Sequence, residues 1–235
     1  PGPALCDRCR GALLAERVDN WCTFCGVARS GRRDRGVQCA DCRRRRYVFQ
    51  KVVPLGAYRG ALRHTVIRMK QFHEYPLTAA VGILLADELA AKLRQYPPKF
   101  VVPIPKHWLR RWVQGSSSAE VLADVVGETL RLPVARTALR WRRNTRKQSL
   151  LPLSQRRRNL TGAMRVSRAA AFRGSHVLVL DDIMTTGATA GEAARVLRRA
   201  GADYVSVGLV GRALVDHPQA VGGRSRHGRA ALKLG

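Results

Sequence analysis

Residues 177–189, VLVLDDIMTTGAT, constrain the fold more than any other stretch, because hydrophobic pattern, charge and turn chemistry all change within them. Four consecutive aliphatics, Val177, Leu178, Val179 and Leu180, predict a strand buried on both faces of a parallel sheet. Two adjacent carboxylates, Asp181 and Asp182, come next, then a Thr/Gly turn, then a helix-forming run over residues 190–199. In open α/β sheets, a strand, loop and helix in this order place a ligand beyond the strand's carboxyl end.

The loop's composition narrows that ligand. Thr185, Thr186, Gly187, Ala188 and Thr189 are small, so successive backbone N–H groups can converge on an anion at a helix start, with hydroxyls as further donors. That cradle suits a phosphate. Two carboxylates beside a phosphate repel it unless they serve another purpose, such as gripping the hydroxyls of a polyol or holding a divalent cation that travels with the ligand. Together these residues describe a sugar phosphate site. The competing reading is an Asp-rich turn followed by a Thr-capped helix. A nucleotide hydrolase would need a GxxxxGK[ST] loop, and the chain has none.

All six cysteines fall in the first 42 residues, as CxxC, twelve residues, CxxC, thirteen residues, CxxC. Two-residue gaps let both thiolates of a pair reach one tetrahedral zinc. The linking segments carry few large apolar residues and need an internal staple, which predicts a structural zinc with a full thiolate shell. Four ligands suffice. Cys22, Cys25, Cys39 and Cys42 can form the site, with Cys6 and Cys9 either belonging to a truncated module or substituting for one of those pairs. Disulfides are the rival explanation, and nothing else in the chain suggests the oxidising compartment they need.

Downstream of the basic run Arg43–Arg46, residues 48–55 predict a strand leading to a turn at Gly56. Leu62, Val66 and Met69 recur at helical spacing up to Lys70. Residues 77–95 predict an amphipathic helix ended by Tyr96-Pro97-Pro98, and residues 100–104 a short strand whose prolines make a rigid turn. The following segment holds Lys106, His107, Arg110 and Arg111, a basic cluster before the next helix. Trp108 and Trp112 share a helical spacing and read as packing residues. A helix over 119–130 follows. No acidic residue occurs between Glu128 and Asp181, and the interval includes Arg140, Arg142, Arg143, Arg146, Lys147, Arg156, Arg157 and Arg158. It predicts an exposed excursion that closes over the ligand, with a solubilising surface loop and a DNA-binding arm as the competing readings. Residues 204–210 predict a further strand, with Gly211 and Arg212 at its end as ligand contacts.

The formal net charge of +27 makes polyanions natural partners. No run approaches the roughly 18 apolar residues that span a bilayer, and the first residues lack the basic region and apolar core of a signal peptide.

The 177–189 stretch resembles the phosphoribosyl-pyrophosphate binding motif of type I phosphoribosyltransferases at every position: four hydrophobics, two acids, a hydrophobic, any residue, then TTG, any residue and T. The resemblance implies that Asp181 and Asp182 bind the ribose hydroxyls and steady a ribosyl cation. It also implies that residues 185–189 cradle the 5-phosphate, and that Mg²⁺ arrives with the pyrophosphate. A narrower resemblance covers nearly the whole chain. The paired cysteines followed by YRGALR, the VVPIP strand, Thr145 and Gln148 with Leu151, Arg156 with Asn159, and Gly162 to Met164 are similar to ComF-type late-competence proteins.

These resemblances imply an α/β fold. A parallel sheet of the type I phosphoribosyltransferase kind is flanked by helices and carries a small N-terminal zinc-ribbon-like module. The expected division is a cysteine module over 1–46, a phosphoribosyltransferase-like domain over 47–217 and a flexible basic tail over 218–235. The resemblance further implies Lys70, Lys106, Arg110, Arg111, Arg143 and Arg156 as phosphate or pyrophosphate contacts. It implies phosphoribosyl pyrophosphate, single-stranded DNA and a competence helicase as partners. The implied location is cytoplasmic, at most peripheral to a membrane-associated DNA-uptake complex. Where the family has Arg-Gly-Phe-Asn before the first core helix, this chain has Gln114, Gly115, Ser116 and Ser117. The lost guanidinium weakens the pyrophosphate grip, a loss for which Arg110 or Arg111 is placed to compensate.

Overall fold

The computed structural model describes residues 5–18, 20–29, 38–71, 73–105, 117–145, 151–167 and 172–213. Its centre is a four-stranded, all-parallel sheet of β1 (Lys51–Ala57), β6 (Ala202–Arg212), β5 (Ser175–Met184) and β2 (Phe100–Pro103), in that spatial order. Parallel strands bury both faces, and β5 does so by alternation. Val177 and Val179 pack with Ala190, Ala193 and Leu197 of α7 (Ala188–Arg199) on one side. Leu178 and Leu180 pack on the other against α3 (Gly60–Met69), α4 (Tyr75–Leu93) and α5 (Ser118–Leu130). Leu62, Val66 and Met69 of α3 are buried, as their spacing predicts.

Gly56 does not turn the chain. It lies inside β1 opposite Gly211, and the strand runs on to Ala57. Pro54 is tolerated there because β1 has a strand neighbour on one flank alone. The N-terminal segment covers the other flank, where Val52 N–H donates to Thr23 O and Ala57 N–H to Glu16 O, both at 2.9 Å.

The basic interval after Glu128 is a folded element rather than a bare excursion. β3 (Leu139–Trp141) pairs antiparallel with β4 (Met164–Val166), and α6 (Leu153–Leu160) lies between them in the chain. Its described arginines are exposed, or half-buried in the case of Arg156, while Leu139, Leu160, Ala163, Met164 and Phe172 are buried, so high charge density did not prevent a core. Buried Glu192 of α7 fixes the hairpin, taking Arg195 at 2.6 Å and the Met164 N–H at 3.4 Å.

Upstream of the sheet, α1 (Asp7–Leu14) and α2 (Ala40–Arg45) each begin directly after a cysteine. Among the described residues no helix is long and apolar enough to cross a membrane. The basic tail over 218–235 lies outside the described residues.

Candidate sugar phosphate site and metal centre

β5 continues past the four aliphatics because β6 runs beside it to the Met184–Arg212 pair, whereas β2 ends at the Pro103–Leu180 pair. Asp181 and Asp182 are therefore strand residues, not loop residues, at a point where, among the described residues, one flank of β5 has no strand beside it. Alternation puts Asp182 on the face of Leu178 and Leu180. There Ser118 Oγ, in the first turn of α5, donates to Asp182 Oδ2 at 3.0 Å. Lys70 Nζ, at the C-terminal end of α3, lies 3.5 Å from the same oxygen. Asp181 Oδ1 accepts the Asp182 N–H at 2.9 Å. Burial, then the adjacent Asp182 charge, push the Asp181 pKa well above the usual carboxylate range, with the Asp182 N–H and Lys70 opposing.

Beyond Met184 the chain turns through Thr185, Thr186 and Gly187 into α7. Gly187 has φ of +74°, and a Cβ there would come within 2.8 Å of the Tyr47 ring, so glycine is required twice over. Thr186 Oγ1 accepts the Ala188 N–H at 3.4 Å. Arg156 Nη1 of α6 donates to Thr185 Oγ1 at 3.2 Å. A helix N-terminus, two threonine hydroxyls and a guanidinium thus meet at one turn, with two carboxylates just upstream, which is chemistry for a phosphate joined to a polyol.

Of the cations named from the sequence, the structure brings Lys70 to the carboxylates and Arg156 to the turn. Arg143 is engaged elsewhere, donating to Asn159 O at 2.9 Å and Thr161 O at 3.0 Å across the end of α6. Lys106, His107, Trp108, Arg110, Arg111, Trp112, Gln114, Gly115, Ser116, Arg146 and Lys147 lie outside the described residues. Ser117 caps α5 in a reciprocal box with Glu120, both bonds 3.2 Å.

Arg212 does not sit at the sheet's end as an open ligand contact. It is 0% exposed and donates to backbone carbonyls: Nε to Cys25 O at 2.8 Å, and Nη1 to Met184 O at 2.9 Å, Thr185 O at 2.5 Å and Ala213 O at 2.8 Å. Tyr47, which the sequence did not single out, stacks on Phe49 at 4.7 Å and donates its hydroxyl towards both Asp41 Oδ2 (3.1 Å) and Thr186 O (3.3 Å). Nothing in the residue types around Tyr47 or Ser118 marked them; both act through folding contacts with distant segments.

Cys22, Cys25, Cys39 and Cys42 gather with their sulfurs all within 4.8 Å of one another. Sulfur pairs stand at 3.6 Å (Cys22 and Cys42), 3.5 Å (Cys25 and Cys39) and 3.7 Å (Cys39 and Cys42). Zinc with sulfurs at about 2.3 Å in a tetrahedron sets them about 3.8 Å apart. The chemistry and spacing of the four donors therefore fit a structural metal such as zinc. The Cys22 hydrogen bond with Cys25 holds Cys22 down to about 4 while raising Cys25, and burial pushes Cys42 up to about 12. A shared-proton cluster of that kind is one that a divalent cation ionises as a whole. A turn at Gly26 (φ +67°) seats the Cys22–Cys25 knuckle on Val52 of β1. Cys6 and Cys9 are exposed at the start of α1 and lie outside this four-sulfur group.

Residues 79–221 match the phosphoribosyl transferase domain family, and the chain belongs to it. Among its relatives is Competence protein F of Haemophilus influenzae, 26% identical over 81% of this chain and 85% of that one. Another is the DNA utilization protein YhgH of Escherichia coli K12, 27% identical over 90% of this chain and 98% of that one. Among solved structures, the glutamine phosphoribosylpyrophosphate amidotransferase of B. subtilis, complexed with ADP and GMP, aligns at 19% identity. That alignment has a TM-score of 0.37 and covers 57% of this chain and 26% of that one.

Proposed function

We propose that the chain binds phosphoribosyl pyrophosphate with Mg²⁺ and transfers its phosphoribosyl group to a nitrogen acceptor, releasing pyrophosphate, in a competence or DNA-utilization process. The observation that carries this reading is the pair Asp181 and Asp182 at the end of β5, running directly into the Thr185–Gly187 turn and α7. Asp181 and Asp182 hold the ribose hydroxyls, Thr185 to Thr189 with Arg156 hold the 5-phosphate, and Lys70 faces the pyrophosphate side. Asp182 or Asp181 also steadies the positive charge that develops on the ribose as its bond to pyrophosphate breaks. Bound Mg²⁺ supplies charge neutralisation on the pyrophosphate. Lys106, Arg110 and Arg111 are proposed to complete the pyrophosphate grip, and the 1–46, 47–217 and 218–235 division is proposed as the domain plan. The names of the relatives support the process. Calorimetric titration with phosphoribosyl pyrophosphate and Mg²⁺ tests binding: wild type gives a saturable isotherm that Asp181→Asn/Asp182→Asn abolishes, and undiminished binding by the double variant refutes the assignment. Pyrophosphate release over a panel of nitrogen acceptors tests turnover.

A second reading, an accessory protein that binds single-stranded DNA and a helicase and uses the same fold for docking or sensing, draws on one further feature. A concavity of about 490 Å³ between the β3–β4 hairpin and α7 has Met164 and Val196 in its lining and Arg142, Arg165, Arg195 and Arg199 around it. An apolar surface ringed by guanidinium groups suits a base and its phosphates. Salt-sensitive binding of single-stranded DNA that survives Asp181→Asn/Asp182→Asn and falls with Arg142→Ala/Arg165→Ala favours it; DNA affinity unchanged by the arginine pair counts against it.

A further inference from the structure

Three successive carbonyl oxygens of the turn are held from one side. Arg212 takes Met184 O and Thr185 O, and Tyr47 takes Thr186 O. All peptides here are trans, and in a trans peptide the C=O of one residue and the N–H of the next point in opposite directions. Fixing those three oxygens therefore turns the N–H groups of Thr185, Thr186 and Gly187 away from Arg212 and Tyr47. Three convergent donors preceding a helix are what an anion needs.

The two clamps belong to the neighbourhood of the cysteines. Arg212 Nε also bonds Cys25 O, while Tyr47 also bonds Asp41, which lies between Cys39 and Cys42 and pairs with Arg45 at 2.8 Å. Arg212 is fully buried, its Nη2 makes no hydrogen bond, and among the described residues no carboxylate pairs with it. A buried guanidinium is costly unless anions balance it; a zinc held by four thiolates carries a net negative charge on the Cys25 side of Arg212. Its position beneath a turn suited to a phosphate gives it a second anion to balance on the other side.

We infer that Arg212 and Tyr47 are positioning residues that aim the backbone N–H groups of the 185–187 turn at the ligand's phosphate, and that the four-cysteine centre holds both in place. The inference rests on the reading of this turn as a phosphate cradle. It makes the metal centre part of the ligand site without any cysteine touching the ligand.

The test uses the zinc-loaded full chain as wild type, Tyr47→Phe and Arg212→Met, with two readouts: backbone amide ¹⁵N order parameters over 184–189 without ligand, and calorimetric titration with phosphoribosyl pyrophosphate and Mg²⁺. Tyr47→Phe removes one hydroxyl and is expected to keep its zinc and its melting temperature. It should lower the order parameters at the turn and weaken binding about tenfold, the worth of one hydrogen bond. Arg212→Met should do both more strongly. Chelation of the metal from wild type should loosen the same amides. Unchanged order parameters at 185–187 in Tyr47→Phe overturn the positioning role, and a turn that stays as rigid after metal removal overturns the link to the cysteines. Wild type that fails to bind phosphoribosyl pyrophosphate, with the turn still loosened in Tyr47→Phe, sinks the phosphate reading and leaves the clamp on the turn established.

Discussion

The ammonium of Lys70 stands 3.5 Å from the Asp182 carboxylate, so the helix following the first strand reaches the acidic end of the central one. Lys70 is half exposed and free to swing from the carboxylate to an incoming phosphate. Lys70→Met is expected to weaken binding of phosphoribosyl pyrophosphate about three- to tenfold at low salt, and less at 0.5 M salt as screening takes over. Titrations at the two salt concentrations check this, and equal affinities for variant and wild type at low salt rule it out.

Asp181 has its pKa raised by burial and by its acidic neighbour. The ribose hydroxyls that Asp181 is proposed to hold donate to its ionised form and favour it, so binding is expected to release a proton and to tighten as pH rises towards the range where free Asp181 ionises. The heat of binding should then vary with the ionisation enthalpy of the buffer. The sign for stability is the reverse. A carboxyl with a raised folded pKa is best tolerated protonated, so ligand-free protein loses stability as pH rises through that pKa. Asp181→Asn should therefore gain stability relative to wild type above that pKa while losing the ligand.

One equivalent of zinc per chain is expected by elemental analysis. Cys22→Ser or Cys42→Ser should lose it together with much of the thermal stability, because the four sulfurs replace a core that the first residues lack. Cys6→Ser/Cys9→Ser should keep it. Zinc lost from that exposed pair of substitutions, and retained in Cys22→Ser, would reverse the ligand assignment.

His176 is buried near the opposite end of the sheet. Its Nδ1 lies 2.8 Å from Tyr96 O and its Nε2 2.7 Å from Ser206 Oγ, an arrangement that fits a neutral ring donating to the carbonyl and accepting from the hydroxyl. Burial holds its pKa down to about 4 from the ordinary 6.5. The unfolded chain therefore binds the extra proton first, and stability should fall as pH drops from about 6.5 towards 4, by up to about 3 kcal/mol. Urea midpoints across that range check it, and His176→Gln should flatten this limb.

The parts of this molecule that were readable before folding are those where one short segment carries its own instructions. Val177 to Leu180 announce a two-face strand, Leu62, Val66 and Met69 announce a helix face, and the CxxC pairs announce a thiolate centre. What was not readable depends on register between distant segments. Gly56 looks like a turn until Gly211 is placed opposite it. The arginine-rich interval looks like open loop until Leu139, Met164 and Phe172 are seen to join the core that α7 makes with the sheet. Arg212 looks like a ligand contact because it ends a strand, and only the packing of the Cys25 carbonyl over it shows that its work is inside. Asp181 and Asp182 were found by residue type. Ser118 and Tyr47, which hold the neighbouring groups, were not, since a serine in a helix's first turn and a tyrosine after four arginines have no distinctive pattern.

β1 pairs with β6, the last described strand, on one flank and rests against the Thr23 and Glu16 carbonyls on the other. During synthesis, then, residues 51–57 have no sheet to join until residues 202–212 have left the ribosome. The cysteine segment, which a metal can fold locally and early, must wait as a finished piece beside an unfinished one. Closing the sheet is the step that joins two segments far apart in the chain, and such long-range closure is slow. Defects in metal loading should therefore surface as chains that stall with an unpaired β6 edge, prone to aggregate, before any loss of ligand binding can be measured.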